Sequence, residues 1–143
     1  MAPPSLPGRT SKRTSVLWAL FGFDGRLSRQ SYWLALVFVW LVGKIALTPY
    51  ADLFTTMLQG GDPEELDGLV STPIPLIILA VVSFSQLAII VKRLHDRDLT
   101  GWFALALAVP IIPLHLVLLI VLGVIPGSPG ANRFAVATDS RPV

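Results

Sequence analysis

The sequence predicts an all-α membrane protein with three transmembrane helices, the third kinked at Pro110 and Pro113, and a short interfacial segment before the first. Two observations carry this. Of 143 residues, 53% are apolar and only 14% charged, against about 25% charged in a soluble domain, so a globule would lack a wetted shell. The charges are also segregated, leaving long uncharged runs between Arg29 and Asp52 (interrupted only by Lys44), Asp67 and Lys92, and Asp98 and Arg133. A span needs about 20 mostly apolar residues, and backbone groups in lipid must be satisfied within the segment, so these runs read as helices. The length fits one domain, taken as 15–134, with flexible tails at 1–14 and 135–143.

The elements follow in order. Residues 1–14 are rich in Pro, Ser and basic side chains. Val16–Phe23 resembles the apolar core of a signal peptide, but Asp24, Gly25 and Arg26 follow instead of a small-x-small cleavage site. A segment lying in the interface is the better reading. The first span covers about 31–50. Ser28 is its expected N-cap, Gly25 permits the turn before it, and Tyr32 and Trp33 belong to the interfacial aromatic belt. The second span, about 73–91, carries a polar stripe of Ser83, Ser85 and Gln86 suited to helix–helix contact. The third, about 102–125, starts with the anchors Trp102 and Phe103. Its two prolines each remove a helix hydrogen bond. Splitting it there leaves legs far short of about 20 residues, which argues against a full hairpin. A kinked crossing would put the C-terminal tail outside, a re-entrant segment inside, and Arg133 and Arg141 do not decide between them.

Lysine and arginine counts set the orientation. Arg9, Lys12, Arg13, Arg26 and Arg29 precede the first span; none lies in Tyr50–Thr72, which carries Asp52, Asp62, Glu64, Glu65 and Asp67; Lys92, Arg93 and Arg97 follow the second. The N-terminus is therefore expected in the cytoplasm.

Two clusters gather at that face. One runs from Phe21 to Trp33, the other from Val91 to Phe103. Arg26, Arg29, Arg93, His95 and Asp96 would build a polar layer there, with Asp96 and Asp98 pairing with Arg26 or Arg29. The layer acts as an ion-pair latch, or contacts anionic phospholipid headgroups at about 1 kcal/mol per basic residue, or meets a membrane partner or a second copy. Nucleic acid is not an expected partner. Chemistry finds little support. Cys is absent and His occurs twice, so thiolate sites and histidine cages are excluded, and no metal or cofactor is expected. His95-Asp96 lacks the further ligands that a metal site needs, and HExxH, GxSxG, Walker and GxGxxG patterns are missing. The chain therefore reads as a non-enzymatic membrane component. A small transporter or channel subunit using the polar stripe with Lys44 is the alternative, and a lipid-active enzyme around His95 the third reading. His115 reads as a satisfied membrane histidine, and Lys44 as a snorkelling one.

Three motifs carry a resemblance. Phe23, Gly25, Arg26, Ser28, Arg29, Tyr32 and Trp33 form the first, and Arg93, Leu94, His95, Asp96, Gly101, Trp102 and Phe103 the second. Gly127, Gly130, Asn132, Arg133 and Phe134 form the third. In this order, with the apolar runs between, the chain resembles the domain of unknown function 805 family, YhaH-like small bacterial inner-membrane proteins, over about Val16 to Phe134. Thr100, Phe103 and Asp98 depart from the family pattern, as does Ala135–Val143. The resemblance implies a multi-pass helical protein of the bacterial inner membrane, and carries no activity, substrate or catalytic residue.

Overall fold

The computed structural model describes residues 15–60, 67, 71–108 and 112–141. Among them every regular element is helical. The N-terminal tail and most of the acidic loop (Asp62, Glu64, Glu65) lie outside the described residues, as does Pro110.

Helix α1 (Val16–Phe21) is capped by Ser15, whose side chain accepts from the Trp18 amide. Trp18 turns inward while Val16 and Leu17 remain exposed, the one-sided pattern of an interfacial segment. The chain then reverses through Gly25 at φ +85°, where a Cβ would collide with the Ser140 carbonyl, so only glycine fits. Helix α2 (Arg29–Leu47) starts at Ser28, whose Oγ accepts from the Ser31 amide. A 3₁₀ turn at Thr48–Tyr50 containing Pro49 tightens its end before α3 (Ala51–Leu58). Helix α4 spans Ile74–Asp96, 23 residues, or about 35 Å at 1.5 Å per residue.

The helical run Arg29–Thr56 and α4 are long and apolar enough to cross a bilayer. Only 17% and 33% of their most apolar stretches are buried, which separates them from the core helices of a soluble protein. Leu34, Val37, Phe38, Leu41 and Ile45 instead form an exposed apolar flank. On the opposite side of α2, Tyr32, Leu36, Val39 and Gly43 are buried. This spacing of four, three and four residues makes one narrow stripe, and it lies in one core with Ile89 and Ile90 of α4. Gly43 lets the backbones approach, since a Cβ there would come within 2.9 Å of Val82. Such close packing holds helices together where lipid removes the hydrophobic drive.

The third apolar run departs from the kinked crossing that the sequence suggests. It forms two legs, a 3₁₀ stretch at Gly101–Ala108 and helix α5 (Ile112–Val124). Gly101 lies against Val91 and His95, at the charged end of α4. Deeper in the bundle, His115 meets Gln86, and from there α5 climbs back until Leu122 and Ile125 accept bonds from Arg93. Both legs therefore open at the same end. At about 2.0 Å per residue for the 3₁₀ stretch and 1.5 Å for α5, they reach roughly 16 and 20 Å, short of a bilayer core of about 30 Å. Pro113 sits in the first turn of α5, where its missing N–H costs nothing. Proline here starts the returning leg instead of kinking a continuous helix.

The sequence also suggests a free tail from residue 135, yet this stretch lies on the charged end. Ala135 and Ser140 are each 5% exposed, and the Arg26 amide donates to the Ser140 carbonyl at 3.1 Å.

Candidate functional site

Helix ends meet at this face, and each exposes backbone groups that the helix cannot satisfy itself. The site is best understood by following where those groups find partners. Arg93, on the inward face of the last turn of α4, is 0% exposed. Its Nε donates to the Leu122 carbonyl at 2.8 Å, Nη2 to Ile125 at 2.5 Å, and Nη1 to both the Leu27 carbonyl and Asp96 Oδ2. Arg97 donates to the Pro126 carbonyl at 2.5 Å, and Arg29 reaches Val124 at 3.5 Å. Three arginines thus gather on the carboxyl end of α5, where free carbonyls and the negative end of the helix dipole favour cations.

The ends of the other helices are treated alike. Lys92, also 0% exposed, donates from Nζ to the Trp18 and Gly22 carbonyls at the end of α1. Its ammonium stands 5.3 Å from the Trp18 ring centroid. At the end of α4, the Lys92 carbonyl accepts from the Leu27 amide, and that of His95 from Asn132 Nδ2. The Asp96 carbonyl accepts from the amide and hydroxyl of Ser128. At the start of α2, Asp139 Oδ1 accepts from the Ser28 amide at 2.8 Å.

Asp96 is the hub. Oδ1 lies 3.0 Å from Nε and Nη2 of Arg26 and accepts from Thr138, while Oδ2 stands 2.5 Å from Arg93 Nη1. Arg26, 1% exposed, spends its other donors on the carbonyls of Gly130 and Ser128. A buried carboxylate between two guanidiniums is tolerable only with its lone pairs and their protons satisfied, and here they are. Gly127 is required beside it, because a Cβ there would overlap Asp96 Oδ2.

The residues singled out from sequence divide accordingly. Arg26, Arg93 and Asp96 form one buried cluster. His95 lies next to it, its Nδ1 3.2 Å from the Gly25 carbonyl and its ring stacked on Phe134 at 3.8 Å between centroids. Arg29 stands outside, exposed on the rim. Asp98 does not join the cluster: held at φ +58°, it turns outward and pairs with Arg133 at 3.3 Å. Tyr32, read as an interfacial anchor, is 0% exposed and donates to the Leu119 carbonyl at 3.0 Å; the inward stripe of α2 takes it into the core. Trp33 is 38% exposed, Trp102 77% and Phe103 58%. Lys44 is exposed. His115 Nε2 lies 3.0 Å from Gln86 Nε2, and Gln86 Oε1 accepts from Trp40 at 3.4 Å.

Sequence reasoning missed Lys92 as a capping residue, gave Asn132 only as a member of the third motif, and missed Ser128 and Thr138 altogether. The Gly127–Phe134 motif was the available signal, because it supplies the glycine against Asp96, the amide on His95 and the ring over it. Among the described residues no three His, Asp or Glu side chains stand close enough to hold a metal.

A family profile described as "Protein of unknown function (DUF805)" matches residues 20–135, a stretch that contains all three motifs. Inner membrane protein YhaH of Escherichia coli K12 is 32% identical over 119 residues, covering 83% of this chain and 88% of the relative. Inner membrane protein YhaI of the same organism is 30% identical over 120 residues, covering 84% and 88%. No solved structure matches the chain. With the profile covering most of the helices and taking in Arg26, Arg93, His95 and Asp96, the chain belongs to the DUF805 family of proteins of unknown function.

Proposed function

We propose that this chain is a non-enzymatic component of the bacterial inner membrane with two crossing helices, α2 and α4, and a re-entrant third segment. Its N-terminus and its C-terminal stretch lie on the cytoplasmic side, and it works by holding lipid or a protein partner at its cytoplasmic rim. One observation carries the reading: Gly101 and Ile125, the two mouths of the third apolar run, both lie at the Arg93 end of α4. The relatives' names as inner membrane proteins support the location. The basic residues at that end, against the acidic loop at the other, support the orientation.

The burial and internal bonding of Arg26, Arg93 and Asp96 support a latch and keep the two guanidiniums away from a headgroup. Contact with lipid or partner falls to cations on the rim, Arg29 and Arg97, since Arg133 is already paired with Asp98. The absence of cysteine gives a direct test. Gln59→Cys and Ala131→Cys are each exposed to a membrane-impermeant maleimide in spheroplasts. Gln59→Cys is expected to react at once, and Ala131→Cys only after lysis. Reaction of Ala131→Cys from outside would reject the re-entrant topology.

A second reading draws on Trp40, Gln86 and His115, a polar chain within the apolar part of the bundle. Polar residues at such depth mark transport paths in many membrane proteins. A transporter or channel subunit built on it predicts a flux in liposomes that Gln86→Leu abolishes.

A further inference from the structure

We propose that the groove between the start of α2 and the end of α5 is a binding site for one anionic phospholipid. The proposal deepens the reading above, because it takes this face as the headgroup level of the cytoplasmic leaflet. The groove, about 550 Å³, is lined by Ser28, Arg29, Gln30, Trp33, Gly123 and Val124. That volume is in the usual range for a ligand site, roughly 300–1,000 Å³.

Its walls change character with depth as a lipid does. Ser28, Arg29 and Gln30 form a polar rim with the Val124 carbonyl, and Trp33 stands one turn below it. One helical turn further down, Val37 and Ile120 are exposed by 59% and 53%, so an apolar track continues from the groove along both helices. The helix walls are close because residue 123 is glycine, where a Cβ would fall inside the Trp33 ring.

Charge selects the headgroup. Arg29 is exposed, and its one hydrogen bond among the described residues is the long 3.5 Å contact to Val124. Arg26 and Arg93, by contrast, are buried and bonded within the protein. No described carboxylate forms an ion pair with Arg29, and the first turn of α2 holds no acid. Asp139 at this corner is committed to the Ser28 amide. An exposed guanidinium without an ion-pair partner among the described residues, beside a track for an acyl chain, suits a phosphate attached to that chain: the oxygens take the fork of Arg29, and the tail lies on Trp33, Val37 and Ile120.

The test uses the full chain in phosphatidylcholine nanodiscs doped with phosphatidylglycerol, with retained lipid counted by native mass spectrometry. One phosphatidylglycerol is expected to stay bound in preference to phosphatidylcholine. Arg29→Gln should weaken its retention about fivefold, the worth of one basic side chain at a charged leaflet. Arg133→Gln, a rim cation outside the groove and already paired with Asp98, should leave it unchanged. Excess glycerol phosphate, which has the headgroup chemistry without the chain, should not displace the lipid.

Retention that ignores Arg29→Gln, or falls equally with Arg133→Gln, would overturn the site in favour of diffuse surface charge. Displacement by glycerol phosphate would overturn the lipid as occupant. Should Arg29→Gln lower thermal stability in phosphatidylcholine alone, Gln30→Glu replaces it, placing a repelling charge at the mouth, and unaltered retention then counts against the site. The maleimide labelling above reads topology independently, so failure of the groove and failure of the membrane orientation give different results.

Discussion

Replacing Asp96 by asparagine changes almost no volume and leaves two guanidiniums, Arg26 and Arg93, sharing no anion. Both are at most 1% exposed, so water cannot take over. Breaking one partner out of a buried ion pair costs about 3–5 kcal/mol, because the remaining charge is stranded. Part of that is offset here, since both arginines keep carbonyl partners, at Gly130 and Ser128 for Arg26 and at Leu122, Leu27 and Ile125 for Arg93. The lower end, about 3 kcal/mol, is therefore expected, and on soluble-domain scaling it lowers the melting midpoint by roughly 10 °C. The assay is thermal unfolding of the full chain in one detergent or nanodisc, with Asp98→Asn as the internal control. Asp98 pairs with Arg133 at 3.3 Å, but the two side chains are 52% and 54% exposed. Such a pair is worth about 0–1 kcal/mol. Adding Arg26→Met to Asp96→Asn should then cost less than the sum of the single changes, because one of the two stranded charges is gone. Equal midpoints for Asp96→Asn and Asp98→Asn would refute the reasoning.

Two further outcomes follow from the same geometry. Gly127→Ala pushes a methyl into Asp96 Oδ2 and should destabilise by about 1–3 kcal/mol, measured in the same melt; no loss would mean that the tail can lift away freely. Arg93→Lys keeps the charge but loses the fork that joins Leu122, Ile125 and Asp96. Hydrogen exchange at the end of α5 should therefore accelerate nearly as much as in Arg93→Met, whereas full protection in Arg93→Lys would show that charge alone suffices.

Much of the fold is readable locally, and what is not has an identifiable reason. The Ser28 cap and the Gly25 turn depend on neighbours a few residues away, and both stand where the sequence suggests. A pairing of Asp96 with Arg26 or Arg29 is also legible, since few acids exist at that face, but the choice of Arg26 is seen only in the fold. The third apolar run is not. Its composition is the same whether it crosses or doubles back, and the deciding contacts, Arg93 to Leu122 and Ile125, span about thirty positions. Tyr32 is ambiguous for the same reason. An aromatic one turn inside a span suits the belt, and only the stripe shared with Leu36, Val39 and Gly43 turns it inward to Leu119. The tail was illegible because its anchors, Thr138 and Asp139, are ordinary loop residues whose partners lie over 40 positions away.

The density of cations at this face has one physical explanation. On the proposed re-entrant topology, a hairpin that returns before crossing ends a helix beside the bundle, with carbonyls that neither lipid nor its own backbone can satisfy. Arginine suits that position, because one planar fork can bond several carbonyls and remains charged at any working pH. Arg93 does so at α5, while at α1 the Lys92 amine reaches the Trp18 and Gly22 carbonyls. Bringing cations inside raises a second problem, an excess of buried positive charge, and Asp96 is placed between Arg26 and Arg93. The aspartate then needs its remaining lone pairs and its approach kept clear, which Thr138 and Gly127 provide. Each motif thus answers a requirement created by the previous one. The sequence order of the three motifs is the order in which the chain returns to the same end of the bundle.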